Sequence, residues 1–286
     1  MQARRKIRLS LQRLAVNLFE GIFPSSTSGA RGLELDEIRE YQPGDDLRSI
    51  DWKTTVRARK LHVRVRLPDR RVPVLFLIDK SGSKRFGASK ALKEDALFSV
   101  LSLLVAVAGE AGNPMGLIVF TDRVEWYFPP RLGQTQILRL LPRLKEKKTK
   151  SPLTDLDSAF SFVNGLNLPP SLIVILSDFL TAENYEVSLG ALSKRHEIIP
   201  IVIKDKREEE LPRAMGFLTV RDLESRELGF LDLASSLRQG LYYLDVFRRL
   251  GLDHIEMCTH ESEEAMADEL SAFFEKRARN RRAVRR

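Results

Sequence analysis

The sequence predicts an α/β protein: a mostly parallel sheet flanked by helices, with a small β-rich elaboration ahead of it. Three observations predict this. The runs Val72 to Ile78 (VPVLFLI), Leu172 to Leu176 (LIVIL) and Ile198 to Ile203 (IIPIVI) carry no charge and are rich in branched residues, as strands buried on both faces are. Stretches of helical periodicity separate them, which implies βαβ units with right-handed crossovers. The first two runs end directly on polar residues, Asp79 and Ser177-Asp178. In an open α/β sheet, ligands bind outside the carboxyl ends of the strands.

Taken in order, residues 4–23 place Ile7, Leu11, Leu14, Leu18 and Ile22 at helical spacing with arginines opposite. This amphipathic helix is expected to dock on the body and leaves peripheral membrane contact open. Pro24 to Gly32 is a Ser/Gly-rich linker. Leu33 to Tyr41 is a weaker strand candidate. Lys60 to Leu67 alternates cleanly, with Leu61, Val63, Val65 and Leu67 on one face. The expected organisation is therefore a basic helix and linker over 1–32, a β-rich segment over 33–71, the main domain over 72–275 and a basic tail over 276–286.

Within the main domain a helix is expected from Ser89 to Gly109. A strand follows over Met115 to Phe120, with a hairpin partner over Arg123 to Phe128 across Thr121-Asp122. Gln134 to Leu144 reads as a helix, Lys145 to Lys150 as a basic loop, and Asp155 to Asn164 as a further helix. A helix over Glu183 to Lys194 precedes the third buried strand, and Asp205 to Glu210 is a charged turn. Leu233 to Leu250, His254 to Cys258 and Ser262 to Arg277 supply a helix, a strand and a last helix.

Composition narrows the function. The single cysteine, Cys258, excludes an internal disulfide and a Cys-rich zinc site, and His62, His196, His254 and His260 are scattered. With no secretory pattern at the N-terminus and no apolar run near the ~20 residues of a bilayer span, a cytoplasmic protein is expected. The net charge of +8 is concentrated at the ends. Residues 1–13 hold five basic residues and residues 276–286 hold seven, with no acid in either stretch, so the remainder is mildly acidic. Such ends suit nucleic acid or anionic lipid, but a solvated tail is the plainer expectation. Nucleic-acid binding is not favoured, because no aromatic residue interleaves with the C-terminal arginines.

Asp79, Ser81 and Ser83 follow the first buried strand. Thr154 opens a later helix, and Asp178 follows the second buried strand. Two carboxylates and three hydroxyls at one sheet edge form a set of hard oxygen donors, suited to Mg²⁺ or Mn²⁺ rather than zinc. This pattern resembles the metal-ion-dependent adhesion site (MIDAS) of von Willebrand factor type A domains. The resemblance implies direct metal contacts from Ser81, Ser83 and Thr154 and water-mediated contacts from Asp79 and Asp178. It also implies a vacancy that a carboxylate from another protein fills. Lys80 departs from the pattern: pointed inward, it would repel a cation. Lys84 and Arg85 lie close by.

Upstream, residues 37–52 (EIREYQPGDDLRSIDW) resemble the signature of the bacterial domain of unknown function fifty-eight family. These type A-like proteins are linked with MoxR-type AAA+ ATPases. The resemblance implies an adaptor or co-chaperone that binds a MoxR-type ATPase and a client protein, and no enzyme activity. Physically, Pro43-Gly44 sets a turn. Asp45, Asp46 and Asp51 stand where they can pair with Arg39 and Arg48, and Trp52 with Tyr41 where they can bury a small apolar patch. A structural brace is the expected role.

Rival chemistries fare less well. The glycines Gly82 and Gly87 have phosphate-loop spacing, but Ala88 stands where the lysine is required and Lys90 comes two residues late. No dinucleotide fingerprint follows Val72 to Ile78. A metal-dependent phosphohydrolase using Asp79, Asp155, Asp157 and Asp178 is the alternative from another class. It lacks a histidine or lysine clearly placed as base.

Overall fold

The structure, a computed structural model, describes residues 36–43, 45–66, 72–81, 89–181, 184–204, 217–221, 228–259 and 261–284. The amphipathic stretch 4–23, the linker 24–32, Ser83 with Lys84 and Arg85, and the charged turn 205–210 lie outside them. The described residues fall into two units, 36–66 and 72–284.

In the smaller unit, β1 (Asp36–Glu40) pairs antiparallel with β2 (His62–Arg66), Glu40 opposite His62. A 3₁₀ turn (Leu47–Ser49) and helix α1 (Trp52–Ala58) connect them. The acidic residues of the signature act as caps. Asp45 accepts from Gln42 N–H at 2.8 Å, Asp46 from Arg48 N–H at 2.9 Å, and Asp51 from Thr54 N–H at 2.8 Å. Asp46 and Asp51 thereby satisfy orphan backbone donors of the two short helical turns, and Asp45 closes the turn ahead of them. The expected Trp52–Tyr41 patch is not buried, since Trp52 is 65% exposed. A two-stranded ribbon and one short helix offer too little surface to cover an indole at the first helical position.

In the larger unit the elements run β3 (Val74–Asp79), α2 (Ser89–Glu110), β4 (Met115–Phe120), β5 (Val124–Arg131), α3 (Gln134–Glu146) and α4 (Leu156–Gly165). They continue with β6 (Leu172–Ser177), α5 (Glu186–Arg195), β7 (Glu197–Lys204), β8 (Phe217–Arg221), β9 (Leu228–Asp232), α6 (Leu233–Leu250), β10 (Ile255–Cys258) and α7 (Glu263–Val284). Six strands form one sheet in the order β10-β7-β6-β3-β4-β5. Every pairing is parallel except β4 with β5. This is the mostly parallel, helix-flanked architecture expected. β3, β4 and β6 are buried along their whole length, which explains their charge-free sequences. β5, one of the two edge strands, carries Pro129 and Pro130, as an edge position allows.

Alternate residues of β3 and β6 serve two faces. Leu75, Leu77, Ile173 and Ile175 join one cluster with Phe160 of α4, Leu189 of α5 and Phe247 of α6. On the other face α2 packs with α3 and α7. α2 is buried nearly all round, which accounts for its long apolar run.

Two features depart from expectation. β8 and β9 form a separate antiparallel hairpin, Phe217 opposite Asp232, in a stretch the sequence left unassigned. Each strand has five residues, too few for alternation to stand out against a loop. The last helix runs to Val284, well into the basic stretch expected as a solvated tail. Arg277 is buried and holds Glu197 of β7 and Asp253, the latter at 3.3 Å, so this part of the tail is structural. Among the described residues no helix is long and apolar enough to cross a membrane.

Candidate metal centre

The chain leaves β3 toward β4 on one side and later places β6 on the other. The carboxyl end of β3 is thus a topological switch point, where a crevice opens between diverging connections. Asp79 is its last residue and is buried. Its Oδ1 accepts from Ser81 N–H at 3.0 Å, which turns the chain sharply and keeps Ser81 at the sheet edge. Its Oδ2 accepts from Ser177 Oγ at 2.5 Å. That bond ties the ends of two adjacent strands, about 4.8 Å apart as parallel neighbours are.

Ser177 Oγ also accepts from Phe179 N–H at 3.0 Å, fixing the turn that carries Asp178. Phe179 has φ of 55°, a left-handed conformation rare for a bulky residue. Packing holds it there: its ring meets Phe247 edge-on at 5.0 Å and lies 6.2 Å from Tyr243 and 6.3 Å from Tyr185. Asp178 is buried. Its Oδ1 accepts from Leu180 N–H at 3.3 Å, while its Oδ2 is buried without a hydrogen-bond partner. The Lys93 ammonium lies 3.7 Å from that oxygen.

Thr154 is buried on the other side of β3. Asp155 N–H donates to the carbonyl of Thr121, just past β4, at 3.1 Å. Asp155 then caps α4 by accepting from Ser158 N–H at 3.1 Å. The structure therefore brings Asp79, Ser81, Thr154 and Asp178 to the carboxyl ends of three neighbouring strands, β4, β3 and β6. The fifth expected ligand, Ser83, lies outside the described residues.

Lys80 does not point into this site. Side chains alternate across a strand, so Lys80 leaves on the face opposite Asp79. Its ammonium donates to the carbonyls of Leu144, Lys145 and Lys147 and lies 3.2 Å from Glu94. It thereby caps the carboxyl end of α3, where a cation is favoured by the helix dipole. Lys80→Met should lower stability by about 1.5–3 kcal/mol, the usual cost of losing charged hydrogen bonds. It should leave Mn²⁺ affinity within about twofold of wild type, because a residue on the far face adds little at that range in a high effective dielectric. Urea unfolding and a metal titration on the same preparation check both halves.

The remaining acidic residues considered at the sequence level are used elsewhere. Asp155 is the cap of α4, and Asp157 accepts from Ser188 Oγ, joining α4 to α5. Among the described residues no group of three or more His, Cys, Asp or Glu side chains is placed to hold a metal. The donor set is instead two buried carboxylates with hydroxyls. A buried carboxylate oxygen without a hydrogen-bond partner, at a sheet edge that also carries buried hydroxyl residues, fits a hard divalent ion. By the resemblance to the adhesion site, Ser81 and Thr154 would hold such an ion directly, and Asp79 and Asp178 through water.

Sequence reasoning missed Lys93. A signal for it existed. Lys93 precedes the buried Ala96, Leu97 and Val100 by three, four and seven residues, so it stands on the buried stripe of α2.

Residues 37–243 match the family model described as Protein of unknown function DUF58. The chain belongs to this family. Two relatives, Uncharacterized protein Rv1480 of Mycobacterium tuberculosis and Uncharacterized protein Mb1516 of Mycobacterium bovis, are each 30% identical over 210 residues, which is 72% of this chain. The matched stretch spans 66% of the length of each relative. Among solved structures, the chain is similar to the conserved hypothetical protein BatB from Bacteroides thetaiotaomicron, with 15% identity and a TM-score of 0.44 over 71% of this chain and 99% of that one. It is also similar to proximal thread matrix protein 1 from the mussel byssus with a zinc-occupied MIDAS motif, with 11% identity and a TM-score of 0.42 over 71% of this chain and 47% of that one.

Proposed function

We propose that this chain is a divalent-cation-assisted protein-binding module, not an enzyme, acting as an adaptor or co-chaperone of a MoxR-type AAA+ ATPase. The supporting observation is the pair of buried carboxylates, Asp79 and Asp178, linked through Ser177 at the switch point. Asp178 Oδ2 there has no hydrogen-bond partner. A bound Mg²⁺ or Mn²⁺ would supply a Lewis-acidic position for an acidic side chain of the partner. The chain's own residues do the rest. Ser81 and Thr154 present hydroxyls, Asp79 holds the metal loop through Ser81 N–H, and the Ser177–Phe179 turn aims Asp178.

The rim suits protein contact. Leu153 and Leu180, next to Thr154 and Asp178, are 43% and 36% exposed. Such side chains can exclude water around a polar contact made at the centre. The MoxR-type partner comes from the family resemblance, and the cytoplasmic setting from the expectation drawn on the sequence. The phosphohydrolase alternative is weakened because Asp155 and Asp157 are engaged in capping and helix pairing.

A capture experiment with the full chain and a MoxR-type ATPase tests the proposal. Capture in Mg²⁺ should fall roughly tenfold or more with EDTA or with Ser81→Ala, about the loss of one or two polar contacts at an interface. Capture indifferent to both would end it. Mg²⁺-dependent turnover of phosphoesters would favour the hydrolase.

A further inference from the structure

We infer that Lys93 is a built-in counter-ion of the candidate metal centre that holds divalent-cation affinity down until a partner adds negative charge. The inference rests on the cation-site reading above. It also accounts for an observation that reading leaves unused: a lysine 2% exposed, among the largest fully buried side chains of the protein.

A buried ammonium is costly unless a negative charge is near. Lys93 Nζ is 3.7 Å from Asp178 Oδ2, an oxygen with no hydrogen-bond partner of its own. The Asp79 carboxylate is held differently. Both of its oxygens accept hydrogen bonds, one from Ser81 N–H and one from Ser177 Oγ. Asp178 has one such bond, from Leu180 N–H, and turns its other oxygen to the lysine. So Lys93 balances the carboxylate that local hydrogen bonds satisfy least, and the centre carries about one net negative charge from the three groups. Such a centre keeps its fold without a metal. A site of two carboxylates and no lysine would repel itself.

The same charge opposes a divalent ion. An ion placed among Ser81, Thr154 and the waters of Asp178 competes with Lys93 for that carboxylate and is repelled by the ammonium in a water-poor site. A carboxylate from a partner restores the balance. Ion binding and partner binding then reinforce each other, as linkage requires when each site changes the affinity of the other. Lys93 stays in place through its helix. It lies on the buried stripe of α2 with Ala96, Leu97 and Val100.

The test uses the full chain and Mn²⁺ alone, followed by electron paramagnetic resonance of the free ion, with melting temperature as a second readout. Wild type, Lys93→Arg, Lys93→Met and the double variant Lys93→Met with Asp178→Asn are compared. Lys93→Met should bind Mn²⁺ roughly tenfold tighter or more than wild type, and Lys93→Arg should bind like wild type. Without metal, Lys93→Met should melt about 5 °C lower, and Mn²⁺ should recover the loss. Equal or weaker Mn²⁺ binding by Lys93→Met, with wild type binding measurably, overturns the inference and leaves the cation site standing. Absence of Mn²⁺ binding in every variant overturns the cation site and the inference with it. Should Lys93→Met not fold, the double variant decides. A melting temperature back near wild type supports the pairing, and continued failure overturns it.

Discussion

Asp79→Asn lowers Mn²⁺ affinity roughly ten- to a hundredfold while the domain stays folded. That range is typical when a group that orients metal ligands is altered. The reason lies in what Asp79 does. Its Oδ1 holds Ser81 N–H at 3.0 Å and its Oδ2 holds Ser177 Oγ at 2.5 Å, so the carboxylate is both a charge and a structural clasp. Asparagine keeps the clasp. Its oxygen takes the bond from Ser81 N–H, and its amide donates to Ser177 Oγ after the hydroxyl rotates. Only the charge is lost. Asp79→Ala removes the clasp as well and deprives the Ser81 N–H and the Ser177 O–H of the acceptor they share. It therefore costs an additional ~2–4 kcal/mol of stability, one desolvation penalty for each donor. The pair of variants separates the two roles. A titration in which Asp79→Asn binds Mn²⁺ as wild type does would remove this carboxylate from the metal centre.

Phe179→Ala should destabilise the domain by about 3–5 kcal/mol, the range for deleting a buried aromatic ring. Phe179 is fully buried and sits at the meeting of Tyr185, Tyr243 and Phe247. It also holds a left-handed backbone, φ 55°, which costs an L-residue about 1–2 kcal/mol. Once the ring is gone, the aromatic cluster no longer holds the residue in that conformation. The turn is then free to relax, and Asp178 swings away from the β3 edge. Loss of stability should thus come with loss of metal affinity. Phe179→Gly, which accepts the conformation, should lose similar packing yet retain more metal binding than Phe179→Ala. Chemical denaturation with a parallel Mn²⁺ titration checks the order. If Phe179→Ala binds Mn²⁺ as well as Phe179→Gly, the backbone argument fails.

The strands and most helices were legible because burial on both faces removes charge from a segment. β3, β4 and β6 could be placed within two residues of their observed ends. The placement of Asp79, Thr154 and Asp178 at strand and helix ends was legible because each adjoins a recognisable element. The Lys80 question was not resolved by charge counting. Period-two alternation decides it, and applied to Leu75, Leu77 and Asp79 it puts Lys80 on the opposite face, toward the carbonyls at the end of α3. The β8–β9 hairpin and the helical continuation beyond Arg277, to Val284, escaped for another reason. Short strands carry little periodicity, and a run of basic residues hides the one that is buried.

By itself the sequence determined the α/β architecture, the strand ends that carry polar residues and the family to which the chain belongs. All of these depend on local pattern. Only the tertiary structure decided that Ser177 clasps Asp79, that Phe179 is held left-handed by a ring cluster, and that Lys93 faces Asp178. These depend on distances between segments remote in the chain. Residue 93 meets residue 178 because a helix and a strand pack at one sheet edge, and no local pattern encodes that meeting.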